Sequence, residues 1–73
     1  MITIYQIKDV EKILAEDGYE IVINEKTLAP MIYKKSDRRM GVRFFMGDFL
    51  NNNNNVGEAA QYLKQLYNDS EIH

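Results

Sequence analysis

The chain has 73 residues, 45% of them hydrophobic and 27% charged, with a net charge of −2. That is apolar enough for one folded core and too short for two, because a chain of this size buries only roughly 60% of the surface it exposes when unfolded. It has no cysteine, and its single histidine is the last residue, so disulfides are excluded and a Cys/His zinc site cannot be assembled.

The first segment predicts a helix. Ile4, Ile7, Val10, Ile13 and Leu14 recur at three- and four-residue spacing, with Asp9, Glu11, Lys12 and Glu16 between them, which gives one apolar face over about Ile4 to Asp17. Thr3 followed by Gln6 has the form of a capping box, and Gly18 stands where a left-handed helix end favours a residue without Cβ. Residues 1–24 lack the basic start and apolar run of a signal peptide. No stretch approaches the roughly 20 apolar residues that cross a bilayer, so the expected location is the cytoplasm and no membrane partner is expected.

Three strands are predicted next. Residues 19–24 are β-branched and near-alternating, with Tyr19, Ile21 and Ile23 toward the core. Residues 24–27 turn. Met31 to Lys35 forms a second strand, beginning after Pro30 because proline cannot donate to a ladder. Residues 36–39 supply a polar turn, and Met40 to Met46 alternates as a third strand. Asn51 to Asn55 reads as a loop with no side chain in the core. Asn55 caps a second amphipathic helix from Val56 to about Asn68, whose apolar positions are Ala59, Ala60, Leu63, Leu66 and Tyr67.

The expected fold is therefore a single α+β domain over residues 1–68 with a frayed tail at 69–73. Its order is α-β-β-β-α: a three-stranded antiparallel sheet with two helices packed on one face. The expected core contains Ile7, Leu14, Ile21, Ile23, Val42, Phe44, Ala60 and Leu63. The other sheet face stays open. An even-length turn after the second strand gathers Val22, Ile32, Lys34, Arg43 and Phe45 there; an odd-length turn brings Tyr33 and Lys35 instead.

The residues needed for chemistry are missing. No nucleophile stands with a base, no paired carboxylates suggest a cleft, and the glycines at 18, 41, 47 and 57 make no phosphate loop. The expectation is a noncatalytic protein without cofactor or metal. Charge is what stands out, because residues 26–43 carry Lys26, Lys34, Lys35, Arg38, Arg39 and Arg43 against Asp37, a net +5, and leave −7 for the remainder. The candidate partner-binding residues are Lys34, Lys35, Arg38, Arg39, Arg43 and Phe45. They suit a protein partner or self-association, with a homodimer in view because small unstapled folds gain burial that way. The alternative is a nucleic-acid-binding regulator using the same hairpin, with bases stacked on Tyr33 or Phe45. Richness in Asn, Ile and Lys fits the codon usage of an AT-rich bacterial or phage genome.

The element order, with Glu58-Ala59-Ala60-Gln61-Tyr62-Leu63, resembles the double-stranded RNA-binding domain and the start of its second helix. The lysine cluster of that family is replaced here by Asn51 to Asn55 and Glu58, so its phosphate clamp does not carry over. Leu14 with Gly18-Tyr19 before the first strand is similar to HicA-type messenger-RNA interferases. The histidine on which their activity rests has no counterpart in residues 24–30. The αβββα layout is also similar to that of small phage inhibitors of defence nucleases, which implies a rigid surface of complementary charge and no active site.

Overall fold

The computed structural model describes residues 1–24, 26 and 29–71. The expected turn at 24–27 thus lies partly outside the described residues, as do residues 72–73 of the expected frayed tail, whereas residues 69–71 of that tail are helical. A single 3-10 turn, Ile4–Gln6, leads into α1 (Ile7–Glu16). There follow β1 (Tyr19–Ile23), β2 (Pro30–Lys34), β3 (Asp37–Arg43), α2 (Met46–Asn52) and α3 (Val56–Glu71). The sheet is antiparallel in the order β1-β2-β3, and the helices pack against it, so the α+β class and the strand meander are as the pattern of residues predicts.

Helix α1 forms because Ile7, Val10 and Leu14 share a buried stripe. It stops because Gly18, at φ +84°, takes the left-handed conformation that side chains with a Cβ resist. At its entry, Gln6 Oε1 accepts the Thr3 N–H at 2.8 Å, the side-chain half of the expected capping box. The first turn differs from expectation: Ile4 is 60% exposed, because the 3-10 geometry rotates it away from the α1 stripe, and Ile2 is buried in its place. Ile2 is held by its N–H donating to the Leu50 carbonyl.

The core comprises Ile7, Val10, Leu14, Tyr19, Ile32, Phe44, Phe49, Ala59, Ala60, Leu63 and Tyr67, with Ile21 and Val42 partly buried against it. Ile23 is a correction, for it is 47% exposed. Burial declines along β1 from Tyr19 to Ile23, so the helix layer covers the start of this strand and not its end. Tyr19 and Tyr67 meet edge to face at 5.6 Å, and the Tyr19 hydroxyl donates to Asn68 Oδ1.

Helix α2 was not expected. Met-Gly-Asp-Phe-Leu-Asn-Asn is poor in helix formers, and the strand-like alternation of residues 40–46 runs into it. Tertiary packing overrides propensity, because Phe49 is fully buried against Phe44 (centroids 5.2 Å apart) and Tyr62 (6.2 Å). This corrects the reading of the asparagine run. Asn51 and Asn52 end α2, and Asn53 is 5% exposed, its Nδ2 donating to the Phe49 carbonyl at 2.7 Å and so satisfying one of the orphan acceptors at the end of the helix. Asn55 caps α3 as expected, with Oδ1 accepting from the Glu58 N–H at 2.9 Å, while Glu58 Oε2 reaches back to the Asn54 N–H.

Candidate binding face

The register decides what the open sheet face carries. Lys34 pairs with Asp37 around a two-residue turn, Lys35-Ser36, which sits earlier than the expected turn at 36–39. The pairing then shifts, and Tyr33 lies opposite Gly41, so Arg38, Arg39 and Met40 form an excess on β3 that β2 does not match. Asp37 Oδ1 accepts the Arg39 N–H at 3.1 Å, which draws that donor to a side chain at the point where the ladder breaks.

Pairing with β1 and the offset of β3 together put Ile32, Val42 and Phe44 on the helix side. Glu20, Val22, Met31, Tyr33, Gly41 and Arg43 are left on the outer face by strand alternation. This is the odd-turn arrangement for Val22, Tyr33 and Arg43. Tyr33 packs closely over Gly41. A Cβ there would stand 2.4 Å from Tyr33 Cε1 and Cζ, so the ring occupies space that only glycine leaves open. The Tyr33 hydroxyl donates to Met31 Sδ at 3.5 Å. Glu20, Val22, Tyr33 and Arg38 line an open cleft of about 180 Å³.

Arg38 forms one wall of that cleft. Its Nη2 lies 2.7 Å from Glu20 Oε1, yet Oε1 accepts no directed hydrogen bond although its own surface is buried. The distance establishes an ion contact and the direction makes it a poorly aligned one; two-thirds exposure of the Arg38 side chain keeps it weak.

The six candidate residues thus divide. Lys34 is on the helix side, with Nζ 6.0 Å from the Tyr19 ring centroid and 5.5 Å from that of Tyr67, where its charge rests on aromatic faces. Arg38 reaches over the outer face to Glu20. Arg39, 93% exposed, pairs with Asp37 two residues before it. Arg43 and the Lys35 ammonium meet no partner among the described residues. Phe45 keeps extended backbone past the end of β3 and is 73% exposed. Sequence reasoning missed Glu20 and Met31 as members of the face. Glu20 was legible by strand parity, whereas Met31 depended on the unknown turn.

Among the described residues no group of three His, Asp or Glu could hold a metal ion, and no helix is long and apolar enough to cross a membrane. The chain matches no family model, no curated protein and no solved structure.

Proposed function

We propose that this protein is a noncatalytic binding module whose outer sheet face docks an acidic patch on a protein partner. The observation that carries this reading is the character of the face itself. Val22, Met31 and Tyr33 form an apolar and aromatic floor left uncovered by the helices, and Arg43, Arg39 and Lys35 stand at its β3 side and turn. Apolar contact ringed by cations is what a protein surface of aromatic or aliphatic residues flanked by Asp and Glu complements. Nucleic acid fits less well. Glu20 puts a carboxylate on the face itself, Lys34 is turned away and Arg38 is drawn to Glu20, which leaves Lys35, Arg43 and the loosely paired Arg39 as the cations beside the face for phosphates.

Selection from a random displayed-peptide library against the immobilised protein tests the reading. The expected peptides carry acidic residues beside aromatic or aliphatic ones. They lose binding to Arg39→Glu with Arg43→Glu and keep it with Glu11→Lys on α1. Duplex DNA and RNA serve as the counter-probe. Three phosphate contacts imply a log–log salt slope no steeper than about −2.7 on duplex DNA. A steeper slope with tighter binding than any selected peptide, or peptides that respond to Glu11→Lys alone, overturns the reading.

A further inference from the structure

The sheet ends at β1, and among the described residues no strand lies beyond it. The ladder to β2 fixes which main-chain groups face outward there. Lys35 N–H donates to the Gly18 carbonyl and Asn24 N–H to the Ala29 carbonyl, bracketing β1 at both ends. Hydrogen-bonded and non-bonded pairs alternate along an antiparallel ladder, so Glu20 and Val22 turn their N–H and C=O groups toward β2. Tyr19, Ile21 and Ile23 turn theirs away from the sheet. The edge also exposes Val22 at 40% and Ile23 at 47%. Its one charge, Glu20, is met by Arg38. None of the usual edge guards, lysine, proline or a bulge, interrupts Tyr19–Ile23.

We propose that β1 pairs with β1 of a second copy, antiparallel about a two-fold axis at Ile21, to form one continuous sheet. In that register Ile21 lies opposite its own counterpart and Tyr19 opposite Ile23 of the second copy. Every outward donor then meets an outward acceptor, since all the residues paired are of the outward-facing set. Glu20 comes opposite Val22 of the second copy, and the two glutamates are not apposed. Coverage fits as well. The exposed Ile23 end of each strand is brought beside the buried Tyr19 end of the other.

The second copy offers no comparable alternative strand. Its β3 carries the unmatched Arg38, Arg39 and Met40, and a β1-to-β3 contact would leave an edge open at each end and polymerise, whereas the two-fold contact closes. With five residues per copy, the contact is small beside the roughly 1,200 Å² at which lasting interfaces begin, so the dimer dissociates on dilution.

Sedimentation equilibrium from about 1 µM to about 1 mM spans the range of such an association. The expected result is a concentration-dependent monomer and dimer. Val22→Glu, opposite Glu20 of the second copy, raises the dissociation constant about fivefold, and Val22→Lys lowers it by about as much. Ile23→Pro removes an N–H that the monomer's ladder does not use, so the dimer is lost while circular dichroism of the monomer is retained. A chain that stays monomeric at about 1 mM overturns the proposal, as does a shift of the same sign for both Val22 variants. Arg39 and Arg43 play no part in this association, so it stands or falls separately from the partner-binding reading.

Discussion

The two edges of the sheet meet solvent in opposite ways. β1 is short, regular and apolar, and its outward main-chain groups are in phase from Tyr19 to Ile23. β3 is broken by the unmatched Arg38, Arg39 and Met40, and a charged side chain follows at Arg43. Charges and bulges are the devices by which a sheet edge avoids pairing with another chain. Part of the +5 in residues 26–43 therefore has a structural explanation that requires no partner. The Arg38–Arg39 excess breaks the edge, and Lys34 rests between two tyrosines, while Arg43, Lys35 and the exposed Arg39 keep the charge that a partner can use.

Deleting residues 38–40 tests this contrast most severely. Asp37 and Gly41 then become consecutive, matching Lys34 and Tyr33 without excess, and β3 turns into a second flat edge. The expected outcome is open-ended association through β1 and β3, seen in light scattering as species that grow with concentration beyond a dimer. A deletion variant that behaves as the parent chain does would show that the bulge guards nothing.

A smaller effect comes from what anchors β3 at its far end. Phe44 follows the strand and is pinned by the fully buried Phe49 of α2. Phe49→Ala should cost about 3–5 kcal/mol through lost transfer energy and the cavity left behind, a large share of the stability of a domain this small. Urea denaturation measures it. A loss below about 1 kcal/mol would mean that α2 does not hold the end of β3.

The smallest effect separates the two bulge arginines. Arg38→Ala leaves Glu20 Oε1 buried without its cation, yet the guanidinium is largely exposed, so the cost is at most about 1 kcal/mol. Arg39→Ala, at a pair open to water, should leave the melting temperature unchanged. Equal melting temperatures for the two variants would mean that the contact across the face contributes nothing to the fold.

Much of this architecture was legible from residue pattern. The apolar spacing of Ile7, Val10 and Leu14, the β-branched run from Tyr19, and the Asn55 cap each act within a few residues, where local sterics and hydrogen bonding decide. Gly18 ended α1 for the same reason. The alternation of Val42 and Phe44 placed them inward whatever the turn. Helix α2 was not legible, because its residues favour no helix and only the burial of Phe49 between Phe44 and Tyr62 holds them in one. Asn53 was hidden for a related reason: an amide looks like a loop residue until a helix end offers it a carbonyl.

The candidate face depended on a distance that no local pattern contains. By itself the sequence determined that three strands and amphipathic helices must bury one sheet face and leave the other open, since each stripe and each alternation has to cover its apolar side. It also placed a basic segment at the second hairpin. The tertiary structure alone decided how β3 slides along β2. Pairing with β1 turns Lys34 inward and Tyr33 outward, and the slide of β3 seats Tyr33 on bare Gly41 and brings Arg38 over Glu20, because register decides which side chains share a face of a sheet.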